Sequence, residues 1–112
     1  MAAIAMRLIV RRKTMAKYIA NAFSLQMLQG DATINVCQIS ADEFTTATAD
    51  AISAVGHPDT AAVLGVQCAR INVALHQGDQ LYVAQLTGGR LPEGATTLPE
   101  GFSFKYIRVD VL

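Results

Sequence analysis

The chain has 112 residues, 52% of them apolar, which is the size and composition of one folded domain. Its nine basic and nine acidic side chains cancel, yet Arg7, Arg11, Arg12, Lys13 and Lys17 all precede residue 18, whereas every acid lies between Asp31 and Asp110. From Tyr18 onward four bases face nine acids, a net of −5, which disfavours duplex DNA and long RNA because such ligands are bound by neutralising many phosphates.

Any anionic ligand of the body must therefore be small and locally clamped. No apolar run approaches the roughly 20 residues that span a bilayer, so no membrane role is expected. The leader has its apolar residues before and around Arg7 and its charges after them, the reverse of a secretory signal, so export is not expected. Residues 1–15 contain no acid, Gly or Pro and read as a basic leader, either disordered or an upstream in-frame extension ahead of Met15. A nucleic-acid-binding tail is the alternative. Cys37 and Cys68 have no Cys or His at ligand spacing, which predicts buried reduced thiols rather than zinc or a disulfide.

Residues 18–23 are rich in β-formers and apolar throughout, as in a strand covered on both faces. Residues 24–29 read as a connecting turn, and Gly30-Asp31 leads into a second strand over 33–39. Ser40, three residues before Glu43, is a capping box, and Phe44, Ala47, Ala51, Ile52 and Val55 form a stripe of period 3.6, predicting one helix up to Gly56. Pro58 fits the first position of a second helix running to about Gly65. Residues 70–75 and 80–86 read as a hairpin across His76-Gln77-Gly78-Asp79, with Val73, Leu75, Leu81 and Val83 inward and His76 in an exposed structural position. Residues 87–101, with four glycines and two prolines, form a loop, and the alternation over 102–111 predicts a closing strand.

The acids are scattered, and neither a phosphate-cradling nor a metalloprotease motif is present, so no metal or cofactor is expected. A few residues at loop positions remain. His57 stands at the entrance of a helix whose first N–H groups lack intrahelical partners, so its ring either caps that helix or acts as a general acid beside a bound phosphate. In Gly88-Gly89-Arg90-Leu91-Pro92-Glu93-Gly94 a guanidinium and a carboxylate share a loop shaped by Gly and Pro, either as a surface ion pair or as ligand contacts. Ser24 either offers its hydroxyl to a ligand or starts a turn.

Three segments, Lys17-Tyr18-Ile19-Ala20-Asn21-Ala22-Phe23-Ser24-Leu25-Gln26-Met27-Leu28, Ser53-Ala54-Val55-Gly56-His57-Pro58-Asp59-Thr60-Ala61 and Gly89-Arg90-Leu91-Pro92-Glu93-Gly94-Ala95, resemble three blocks of the viral ring nuclease family in order and spacing. These are type III anti-CRISPR proteins, and the resemblance spans about residues 16–112, leaving the leader without a counterpart. It implies a small α/β domain with a mixed sheet flanked by helices, and a symmetric homodimer holding cyclic tetra-adenylate across its two-fold axis. It further implies that this second messenger is cleaved in the cytoplasm of the infected or carrier cell, silencing type III CRISPR defence. By the same resemblance His57 is the general acid, Arg90 and Glu93 are the other catalytic residues, and Asn21 and Ser24 belong to the ligand-binding floor. The competing expectations are a binding protein that holds a cyclic nucleotide without cleaving it and a DNA-binding viral regulator.

Overall fold

The computed structural model describes residues 15–112. Apart from Met15, the leader expected over residues 1–15 lies outside the described residues. Five strands form one mixed sheet in the order β2-β5-β4-β1-β3, where β1 is Lys17–Ala20, β2 Ile34–Gln38, β3 Ile52–Ser53, β4 Gln80–Thr87 and β5 Ser103–Val111. β3, β1 and β4 run parallel, whereas β5 is antiparallel to both β4 and β2. Two helices, α1 (Ala41–Ala47) and α2 (Pro58–Leu64), cover one face.

Side-chain alternation along the inner strands separates two cores. Leu81 and Val83 of β4 pack with Ala20, Val73, Leu75, Val109 and Val111 on one face. Tyr82 and Ala84 point to the other, where they meet Ile19, Phe44 of α1, Val55 and Ala61 of α2. All four residues expected to point inward from 70–86, namely Val73, Leu75, Leu81 and Val83, are buried. β1 has a neighbour on each side and is covered on both faces, as its unbroken apolar run predicts, but it ends at Ala20 rather than at residue 23.

The single helix expected between Ser40 and Gly56 is corrected by the structure. α1 stops at Ala47, and Ile52 and Ser53 instead pair in parallel with Tyr18 and Ile19. Ser40 caps α1, its Oγ accepting from the Glu43 N–H at 3.1 Å. Thr45 and Thr48 then turn their hydroxyls back onto the Ala41 and Phe44 carbonyls at 3.0 and 2.6 Å, a competition with the backbone that weakens a short helix. The apolar residues at helical spacing serve two different elements: Phe44 is buried under α1, while Ile52 on the edge strand is half exposed.

The expected hairpin is also absent. Both edges of β4 are occupied by β1 and β5, so residues 70–75 have no edge to pair with and cross a sheet face instead, where Leu75 forms an isolated bridge with Leu28 outside the sheet. The turn at 76–79 does form, with the Asp79 N–H donating to the His76 carbonyl at 2.9 Å and Gly78 at φ +94°. Buried Asp79 holds it by accepting from the Ala16 and His76 amides, each at 2.9 Å. Both cysteines are free, but Cys37 is only partly buried and Cys68 is exposed, against the expectation of burial; they lie on an edge strand and in a surface loop. Among the described residues no helix is long and apolar enough to cross a membrane.

Asp110 joins the antiparallel half of the sheet. Burial raises its pKa, but hydrogen bonds from Gln80 at 2.8 Å and Arg108 at 3.0 Å, the Arg108 charge and a bond from Asn35 together outweigh burial and hold the carboxyl below its ordinary 3.8. A carboxyl with a lowered folded pKa contributes stability that is complete above the unfolded value and lost as pH falls through the folded one. Asp110→Asn is therefore expected to cost about 1 kcal/mol in chemical denaturation at neutral pH. That gap should close as the medium is acidified below 3.8, and a gap of constant size would show that the carboxylate charge is not its source.

Candidate functional site

Parallel pairing places the carboxyl ends of β1, β3 and β4 at one end of the sheet, and the segments leaving them carry the five candidate residues Asn21, Ser24, His57, Arg90 and Glu93. In such sheets ligands bind outside the carboxyl ends, where loops from adjacent strands lie side by side. Asn21 follows β1 directly and is exposed. Ser24 caps the 3-10 turn Leu25–Met27, its Oγ accepting from the Gln26 N–H at 3.2 Å, so the turn-starting role is real and its exposed hydroxyl remains a donor.

His57 precedes Pro58 as the N-cap residue of α2, with φ −99° and ψ 118°, and its carbonyl accepts the Ala61 N–H at 2.9 Å. Its side chain makes no capping bond. The exposed imidazole is thus not engaged by its helix, which removes the capping alternative. α2 ends at Gly65, whose φ of +73° closes the helix with bonds to the Ala61 and Ala62 carbonyls, as the sequence predicts.

Arg90 and Glu93 lie in the long connection between β4 and β5, and both are exposed. Gly88, at φ +108°, lies against residue 101, where an added Cβ would come within 2.7 Å of the Gly101 carbonyl oxygen, so the loop base closes only with glycine. Leu91 is buried and pins the loop beside Arg90. Residues 92–95 form a β-turn closed by the Ala95 N–H on the Pro92 carbonyl at 3.1 Å, with Gly94 at φ +79° as its third residue. Glu93 and Arg90 form no ion pair with each other; of the remaining cations, Lys17 pairs with Asp50, and Arg108 with Glu43 and Asp110.

Two neighbours of the site were not apparent from sequence. Arg70 folds over Gly56, its Nε donating to the Gly56 carbonyl at 3.0 Å, and a Cβ on Gly56 would lie 2.9 Å from Arg70 Cγ. A third cationic or protonatable side chain thus stands beside the turn that carries His57. Asp59, the second residue of α2, accepts the Gly94 N–H on Oδ1 at 3.1 Å and so ties the helix behind His57 to the loop behind Glu93. Arg70 was concealed by its assignment to a hairpin strand, and Asp59 by a partner 35 residues away.

The site is open. A cavity of about 460 Å3 at the opposite end of the sheet is bordered by Thr33, His76 and Gln77, and one of about 390 Å3 beneath the helices by Phe44, Ser53 and Leu64. None of the five candidate residues lines either. Among the described residues, no group of three His, Cys, Asp or Glu side chains is arranged to hold a metal ion.

A five-stranded mixed sheet with two helices on one face and polar loops at its parallel carboxyl edge defines a small α/β domain of the viral B116 fold. Residues 17–104 match the model of the family described as STIV B116-like, and the chain belongs to that family. Among solved structures it is similar to B116 of Sulfolobus turreted icosahedral virus, with a TM-score of 0.70 and 22% identity over 85% of this chain and 98% of that one. At that identity the likeness shows the shared fold. No curated protein matches the chain.

Proposed function

We propose that the chain is a metal-independent ring nuclease that cleaves cyclic tetra-adenylate and thereby suppresses type III CRISPR defence in the cytoplasm of the cell carrying it. The observation that carries this reading is the convergence of three segments at the carboxyl ends of β1, β3 and β4. They are the same segments that resemble the ring nuclease blocks, and Asn21, Ser24, His57, Arg90 and Glu93 all lie on them. The uncapped His57 ring adds support, because a side chain not engaged by its own helix is free to deliver a proton.

The chemistry needs little from the protein. The ribose 2′-OH attacks the adjacent phosphorus in line and the P–O5′ bond breaks, which opens the ring to linear tetra-adenylate; a second such cleavage at the opposite phosphate gives two linear di-adenylates, each ending in a 2′,3′-cyclic phosphate. Arg90 stabilises the charge that develops on the phosphoryl oxygens, since its planar fork matches them. His57 protonates the departing 5′-oxygen. Glu93 either polarises the 2′-OH or orients Arg90. Asn21 and Ser24 hold the ring from below through amide and hydroxyl groups.

A homodimer completes this account. The exposed edge encloses no ligand by itself, whereas a two-fold axis supplies two copies of Arg90 to one tetra-anionic ring and covers it. Sedimentation with ligand is expected to show one ring per two chains; a monomer with ring bound would refute the shared site. Turnover should persist in EDTA, and activity that EDTA abolishes and Mn²⁺ or Mg²⁺ restores would overturn the metal-free mechanism. A non-cleaving binding protein would retain the ring intact under the same conditions.

A further inference from the structure

We infer that Asp59 is a positioning residue that sets the Arg90–Glu93 loop against His57, an inference that rests on the nuclease reading above. The geometry is specific. His57 is the N-cap of α2 and Asp59 its second residue, so Asp59 is rigidly placed relative to the backbone that carries the imidazole. Its Oδ1 accepts the N–H of Gly94, the residue directly after Glu93, at 3.1 Å. Gly94 is also the third residue of the 92–95 turn, whose closing bond between the Ala95 N–H and the Pro92 carbonyl fixes the backbone on both sides of Glu93. A hydrogen bond to that amide therefore locates the whole turn, not one atom of it.

The loop has a second anchor at Leu91, buried against the domain beside Arg90. The two anchors differ in what they determine. An apolar side chain in a packed core limits how far the loop can move, whereas a directional bond to a helix determines how its turn is oriented. With the Asp59 bond removed, Leu91 still keeps the loop closed, but Glu93 loses its fixed relation to His57. Positional errors of about 1 Å between reacting groups can cost about 100-fold in rate.

The identity of the residue supports the same conclusion. A carboxylate beside a site for a polyanion is electrostatically unfavourable, and no cation is paired with Asp59 within 4.0 Å among the described residues. Besides its charge in the first turn of α2, it contributes the oxygen that accepts the Gly94 N–H, and an amide oxygen at the same place supplies that bond without the charge.

The test uses the whole protein and cyclic tetra-adenylate, with single-turnover rate, equilibrium binding, melting temperature and exchange of the Gly94 amide measured on wild type, Asp59→Ala and Asp59→Asn. Asp59→Ala is expected to slow cleavage about 10- to 100-fold at a temperature where it is fully folded, with affinity changed by less than about threefold and faster Gly94 exchange. Its melting temperature should fall by a few degrees, since the Gly94 bond and the acid in the first turn of α2 are both lost. Asp59→Asn should restore both the rate and the protection of the amide. Wild-type cleavage by Asp59→Ala overturns the inference alone, and so does Asp59→Asn being as slow as Asp59→Ala, which would assign the effect to charge. A rate defect that disappears at temperatures well below the melting point of Asp59→Ala would likewise overturn it in favour of a purely structural role. A wild-type protein that does not cleave the ring removes the nuclease reading, and the inference with it.

Discussion

His57→Ala is expected to lower the cleavage rate of cyclic tetra-adenylate by about 10² to 10⁴, the usual contribution of a positioned general acid, equivalent to about 3 to 5 kcal/mol of barrier. Ring affinity should change little, because the proton is transferred only as the leaving oxygen departs. The melting temperature should not change either. A capping side chain replaced by alanine typically costs about 1 kcal/mol, but the imidazole makes no capping bond here, so nothing of that kind is lost. The pair of readings separates chemistry from architecture: lost stability with intact turnover would return His57 to a structural role.

Arg90→Ala is expected to reduce turnover by about 10² to 10³, the range seen when one donor to a developing oxyanion is removed. Unlike His57→Ala it should weaken binding as well, since in the proposed mechanism Arg90 meets a charge present in the ground state. Arg90→Lys is the more informative variant. It keeps the charge on a flexible stem and loses the planar fork, so affinity should recover more than rate. A lysine variant as fast as wild type would mean that charge alone suffices and that bidentate geometry contributes nothing. Stability should be unaffected in both, because Arg90 is exposed and the loop is anchored through Leu91 and Gly94.

Local chemistry was readable wherever it decided the structure. Pro58 and Gly65 delimit α2 because each acts within its own turn, and the alternation over β5 survives because both faces of that strand are defined by packing. The misread helix over residues 48–55 and strand over residues 70–75 have a common physical cause. Residues 48–55 satisfy a helical period by coincidence, and residues 70–75 satisfy a strand period, but their fates depend on which sheet edges are free, a tertiary property with no local signature. A vacant place beside β1 captured Ile52 and Ser53, while β4 had no vacant edge to offer residues 70–75.

The same division holds for the candidate site. His57, Arg90, Glu93, Asn21 and Ser24 stand out by residue type, loop setting and family resemblance, all of which are visible along the chain. That the segments carrying them leave neighbouring strand ends comes from parallel pairing of strands far apart in sequence. Asp59 and Arg70 enter only through contacts with Gly94 and the Gly56 carbonyl. The charge reading also becomes more specific. Within an acidic body, Lys17 and Arg108 are engaged in ion pairs, Arg70 is held on the Gly56 carbonyl, and Arg90 and Lys105 are exposed, too few cations for a polymer and enough for a small anion.

Incubating the protein with cyclic tetra-adenylate in EDTA and identifying the products by chromatography and mass tests the central claim most directly. The account predicts conversion of the ring to linear di-adenylate carrying a 2′,3′-cyclic phosphate. Recovery of the intact ring after prolonged incubation with stoichiometric protein would contradict it.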